Sequence, residues 1–192
     1  MSPRWLVLDT ETTGIPRGSA CDVRAVSVGV CLAGPDGPLE APRTLLVCPP
    51  VWSEQAPQAE AVHGLSRAHV ERHGKSPAEA WAWLNGYVAE WQPHGLLAWN
   101  AAFDAEILAR LARDAGQSAP LPWPTVELPG GLTAPDGCLM RLYRAAMPGR
   151  ASLDAALAAL GLPGRAAGHH GAGEDAHLAA TVLGALCRRA TA

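Results

Sequence analysis

The sequence predicts an α/β domain, and three observations predict it. Unbroken apolar runs over residues 5–8 and 96–99 have the make-up of central strands covered on both faces. Residues 23–48, punctuated by Gly34-Pro35-Asp36-Gly37-Pro38, read as two further strands. Apolar residues at helical spacing follow Asp104 and again follow Asp175. A chain of 192 residues suits one domain with a sizeable core, and neither a repeat nor a linker divides residues 1–192.

Taken in order, the first strand runs into Asp9-Thr10-Glu11-Thr12-Thr13-Gly14. Side chains two apart on a strand share a face, so Asp9 and Glu11 point the same way. Such a pair repels unless a cation lies between, and oxygen donors suit Mg²⁺ or Mn²⁺ better than zinc. The alternative is a strand end with two solvated acids. Residues 15–22 form a polar turn. Residues 23–33 are a second strand with Val26, Val28 and Val30 on one face, and residues 43–48 a third, giving an antiparallel meander. Residues 49–57 are a loop, and Ala61-Val62-His63-Gly64-Leu65 opens a short helical region. Ser76-Pro77 caps a helix that runs to Trp91 and stops at Pro93-His94-Gly95. Strand 96–99 leads directly into a helix over 102–115. Residues 118–137, rich in Pro and Gly, are the longest irregular stretch and a candidate lid. Helices follow at 138–146 and 152–160, then a loop at 168–173 and a last helix over 175–189.

Apolar content of 48% and charged content of 17% describe an ordinary globule rather than a disordered chain. Net charge of −3 excludes a global basic field, although the balance turns positive once four metal-holding acids are set aside. All but one of the 15 basic residues are Arg, the side chain suited to forked phosphate contacts. Five cysteines without a Cys-x-x-Cys pair support neither a disulfide framework nor a zinc ribbon. Free thiols in a reducing cytosol, hence a cytoplasmic protein, are the expectation. The chain enters a strand at once, which reads as no signal peptide, and no apolar run reaches membrane-spanning length.

Two acids lie on the wrong faces of their helices. Leu108, Leu111 and Ala115 stand four, seven and eleven residues after Asp104. Leu178, Ala179, Val182, Leu183 and Leu186 stand three, four, seven, eight and eleven residues after Asp175. Both acids therefore look inward, where an unpaired carboxylate is costly. First-turn N–H groups could satisfy either one singly. For both, with Asp9 and Glu11, a shared metal centre is the simpler account. His170 lies on a glycine-containing loop just before Asp175, with an imidazole suited to taking a proton near neutrality. Its neighbour His169 is the competing candidate, and a solvated surface pair the bland one.

These segments resemble the histidine branch of the DEDD 3′–5′ exonucleases (DEDDh), which includes the proofreading subunits of bacterial replicative polymerases and ribonuclease T. The likeness rests on Asp9-Thr10-Glu11-Thr12-Thr13-Gly14, on Asn100-Ala101-Ala102-Phe103-Asp104, and on His170-Gly171-Ala172-Gly173-Glu174-Asp175, which selects His170 over His169. Val62-His63-Gly64-Leu65 and Ser152-Leu153-Asp154 extend it over essentially the whole chain. It implies a ribonuclease-H-like fold, a five-stranded mixed sheet flanked by α-helices. It implies that Asp9, Glu11, Asp104 and Asp175 hold two divalent ions, Mg²⁺ or Mn²⁺, with His170 as general base. Thr12, His63, Leu65, Asn100 and Phe103 become contacts to the terminal nucleotides, against a plain core reading for Leu65 and Phe103 and a helix-end reading for His63.

The activity so implied is removal of nucleoside 5′-monophosphates from the 3′ end of single-stranded nucleic acid, DNA favoured, in repair or proofreading. RNA 3′-end trimming, a short-oligonucleotide phosphodiesterase and a non-catalytic nucleic-acid-binding module are the alternatives. Trp99 and Ser27 depart from the residues common in the family, His and Glu. The chain lacks the long tail with which the proofreading subunit grips its polymerase, so a stable polymerase partner is not expected.

Overall fold

The computed structural model describes residues 2–16, 22–117, 123–165 and 170–192. Strand β1 (Trp5–Thr12) is central, antiparallel to β2 (Ala25–Gly34) and parallel to β5 (Leu96–Ala98). All ten residues of β2 are buried. Its far edge pairs antiparallel with β3 (Gly37–Pro38) at one end and β4 (Arg43–Leu46) at the other, which completes a mixed five-stranded sheet. The meander and the α/β class expected from the apolar runs are both present.

Alternation sorts the strand side chains into two cores. Trp5, Val7, Cys31 and Leu97 face one layer, formed by α5 (Leu139–Ala146), α6 (Leu153–Ala159) and α7 (Ala172–Thr191). Leu6, Leu8, Val28, Val30 and Leu32 face the other, formed by α3 (Pro77–Trp91) and α4 (Ala101–Asp114). Two shorter helices, α1 (Ala56–His63) and α2 (Arg67–His73), lie in the connection from β4 to α3. The Ser76 hydroxyl and the Glu79 carboxylate close a reciprocal capping box on α3, where the sequence placed its start.

Three expectations need correction. The 61–65 segment does not open a helix: α1 begins at Ala56 and ends at His63, because Gly64 takes the left-handed conformation (φ 72°) that closes it. The last helix starts at Ala172, three residues before Asp175, since its glycines are used for close packing rather than for a loop. Residues 118–137 are not irregular throughout. Strands β6 (Val126–Leu128) and β7 (Leu132–Ala134) form a hairpin turned by Gly130 and Gly131 at φ 75° and 73°, while 118–122 lie outside the described residues. Such three-residue strands are too short to show a period.

Cys31, Cys138 and Cys187 are buried free thiols and Cys48 is half-buried, whereas Cys21 lies outside the described residues. Burial pushes the Cys31 thiol up to about 12. Among the described residues no helix is long and apolar enough to cross a membrane.

Candidate active site

The site is built where β1 runs out. Asp9 lies opposite Gly29 of β2, and Glu11 opposite the buried Ser27. Gly29 has a specific job. A Cβ there would stand 2.1 Å from the carbonyl carbon of Ala172 and 2.3 Å from the nitrogen of Gly173. The first turn of α7 therefore rests directly on β2. Gly173 permits the same approach on its other side, since a Cβ there would lie 2.1 Å from Thr44 Oγ1. This seating sets Asp175, only 5% exposed, against the carboxylates of β1.

Asp104 arrives from the other layer. It sits in the first turn of α4, 2% exposed, and accepts a hydrogen bond of 2.9 Å from the Thr10 hydroxyl. Thr10 alternates with Asp9 and Glu11 along β1, so the strand end is gripped from both faces. No side-chain cap satisfies either helix start.

Four acids so close distort one another. Burial first, then the charges of Asp104, Glu11 and Asp175, hold the Asp9 carboxyl well above the usual carboxylate range. Burial and the neighbouring Asp175 push Glu11 up to about 7. Burial pushes Asp104 up to about 7 as well, against the opposing pull of the Thr10 hydrogen bond. Among the described residues, Glu11 Oε1 is buried with no hydrogen-bond partner. A buried orphan acceptor beside three more carboxylates is an arrangement that a bound cation would satisfy. The donors are all hard oxygens, so the set fits Mg²⁺ or Mn²⁺.

Among the described residues, the Arg165 guanidinium reaches this cluster as a cation from the chain itself. The Arg165 guanidinium forks onto Asp175, Nε to Oδ1 at 2.7 Å and Nη2 to Oδ2 at 2.8 Å, and its Nη1 donates to Asp154. Sequence reasoning missed Arg165, whose only signal is a lone charge in the Gly- and Ala-rich stretch before His170. Asp154, part of the family likeness, anchors the outer side of this guanidinium.

His170 stands just before the α7 N-cap, with Nδ1 3.2 Å from Asp175 Oδ2 and its side chain 43% exposed. Glu11, His170 and Asp175 each offer one donor atom within 4.8 Å of the others. The His170 amide donates to the Val62 carbonyl at 3.2 Å, tying this turn to α1. His169 lies outside the described residues.

Beside the acids opens a cleft of about 270 Å³, walled by Glu11, Thr12, Val62, His63 and Phe103. His63 ends α1 and is also part of this wall. Its Nδ1 accepts from the Leu65 amide at 3.0 Å, which leaves Nε2 to carry the proton and donate to the Thr12 carbonyl at 3.2 Å. Desolvation lowers the pKa of this ring and favours that neutral form. The structure thus gathers Thr12, His63 and Phe103 around one cleft. Leu65 is half-buried beyond His63, and Asn100 is exposed on a neighbouring cleft lined by Trp123, Met140 and Arg141. Trp99, the departure before Asn100, is buried, with its indole N–H on the Ala151 carbonyl at 3.3 Å.

Comparison with solved structures gives the class of fold: the chain has the ribonuclease-H-like fold of DEDDh exonuclease domains. The nuclease domain of 3′hExo, a DEDDh family member bound to rAMP, superposes with TM-score 0.71 at 12% identity, over 95% of this chain and 90% of that one. Exonuclease I in its SSB-Ct complex gives 0.73 at 15% identity, over 98% of this chain and 42% of that one. The E. coli exonuclease I complex with a 5cy-dT13 oligonucleotide gives 0.68 at 14%, over 98% and 41%. The chain thus spans nearly all of one nuclease domain and about two-fifths of exonuclease I. No protein-family profile and no curated protein matches it.

Proposed function

We propose that this chain is a metal-dependent 3′–5′ exonuclease that hydrolyses the terminal phosphodiester of single-stranded nucleic acid, DNA favoured, and releases nucleoside 5′-monophosphates. The observation that carries this reading is the buried, partnerless Glu11 Oε1 among Asp9, Asp104 and Asp175. In this reading the four acids hold two divalent cations, Mg²⁺ or Mn²⁺, whose chemistry is to polarise the phosphate, acidify water and stabilise the leaving 3′-oxygen.

His170 accepts the proton of the attacking water. Asp175 faces its Nδ1 and orients the ring, which leaves Nε2 for the proton. Thr12, His63 and Phe103 wall the place of the terminal nucleotide, whose base lies against Phe103 and the His63 ring. The His63 nitrogens are committed to backbone, so its contribution is shape rather than hydrogen bonding. Leu65 and Asn100 flank this nucleotide. Repair or proofreading of DNA ends in the cytoplasm is the setting that follows.

Relatives in fold support this reading: exonuclease I is solved with an oligonucleotide and with product. The 3′hExo domain, bound to rAMP and matched over nine-tenths of its length, favours a second reading, RNA 3′-end trimming. A short-oligonucleotide phosphodiesterase fits the net charge of −3, since a short substrate needs few phosphate contacts.

The deciding experiment incubates 5′-labelled single-stranded DNA and RNA of matched sequence with the protein and Mg²⁺ or Mn²⁺. A ladder shortening from the 3′ end, with nucleoside 5′-monophosphates as product, supports the proposal, and the faster strand gives the sugar preference. Intact strands in every lane, from protein that binds Mn²⁺, would leave a binding module.

A further inference from the structure

Arg165 lies in this site and has no part in the reaction described above. Its side chain is 12% exposed, so the guanidinium has been taken out of water and placed among the acids. It covers both oxygens of Asp175 and lies close enough to Asp9 for their charges to interact. A divalent ion that takes Asp175 competes with that fork, because the guanidinium holds one lone pair on each oxygen and His170 Nδ1 already faces Oδ2. The second anchor survives the exchange. Asp154, 65% exposed in the first turn of α6 and outside the four acids, holds Nη1.

A fork freed from Asp175 and still held by Asp154 would remain near the four acids, and its geometry matches phosphate as well as it matches carboxylate. We infer that Arg165 is a phosphate-gripping residue of this site, stored on Asp175 in the metal-free chain, tethered by Asp154, and passed to the terminal phosphate when cations take Asp175. This rests on the exonuclease reading and adds to it the recognition of the phosphate being cut. It also sets an order: cations open the site, and the 5′-phosphate of the terminal nucleotide then finds a donor pair already in place.

The prediction is a pair of opposite signs. Arg165→Ala should bind Mn²⁺ more tightly than wild type, by roughly tenfold, because a competing cation is gone. The same variant, saturated with Mn²⁺, should bind thymidine 5′-monophosphate roughly ten- to a hundredfold more weakly, the scale of a hydrogen bond between charged partners. Thymidine, which lacks the phosphate, should bind both proteins alike. Asp154→Asn, at an exposed position that folding tolerates, should weaken thymidine 5′-monophosphate binding without weakening Mn²⁺.

Titration calorimetry on the full chain reads both quantities without turnover. An Arg165 that merely braces the fold would weaken metal and nucleotide together, and that result, or any pattern other than opposite signs, overturns the inference. If the opposite signs appear but wild type shortens no strand, the exonuclease reading fails alone. If wild type shortens strands and the signs do not appear, the Arg165 assignment fails alone.

Discussion

Gly29 and Ala172 meet backbone to backbone, and that contact decides where Asp175 stands. The carbonyl carbon of Ala172 fills the space where a side chain on Gly29 would begin. Gly29→Ala must therefore lift the first turn of α7 off β2, at a cost of about 1–3 kcal/mol as overpacking. Asp175 moves with that turn, so Mn²⁺ affinity should fall further than the melting temperature suggests. Gly86→Ala in α3 is the control. Nothing lies within 4 Å of a Cβ there, and the change should stabilise by about 0.5–1 kcal/mol.

Stability of the metal-free chain should run against the usual pH trend for paired carboxylates. Glu11 and Asp104, ordinary near 4.5 and 3.8, are pushed up to about 7 in the fold. Between those limits the folded state keeps protons that the unfolded chain releases. Their contribution is thus intact below about pH 4 and is lost as pH rises to about 7. Glu11 alone should account for on the order of 3 kcal/mol. Denaturant unfolding across that window should show the decline in wild type without metal, less of it in Glu11→Gln, and little with saturating Mn²⁺.

Asp9→Asn should separate folding from function. Removing one charge from a crowd of four relieves repulsion, so the metal-free protein at pH 8 should gain about 0.5–2 kcal/mol. Strand degradation should meanwhile disappear. Asp175→Ala should also abolish it, and His170→Ala should lose roughly 10²–10⁴-fold in turnover as a lost general base. Full activity in Asp175→Ala would remove the metal assignment.

Ser76→Ala should cost about 1 kcal/mol, read as a lowered melting temperature with unchanged turnover. The hydroxyl caps the Glu79 amide, and the Glu79 carboxylate returns a bond from the Ser76 amide at 3.0 Å.

That cap shows which parts of the molecule were legible in its sequence. Ser76-Pro77 announces a helix start because every group involved lies within four residues. Asp104 and Asp175 were legible for a related reason: helical spacing alone sets each in line with an apolar stripe, and both prove to be buried. The contact between Gly29 and Ala172 joins residues far apart in the chain, and no local pattern marks a glycine as the floor under a helix. The same blindness put the start of α7 three residues late and left Arg165 without a partner. It also hid the hydrogen bond from Thr10 to Asp104, because parallel pairing of β1 with β5 brings α4 to that strand end.

The amide of His170 hangs from the carbonyl of Val62, and Val62 is also part of the wall of the cleft beside the acids. The wall proposed to meet the last nucleotide and the turn carrying the proposed proton acceptor are thus joined through the Val62 peptide carbonyl. A poorly seated terminus bears on that peptide, so its penalty should surface in the speed of cleavage more than in how firmly the strand is held.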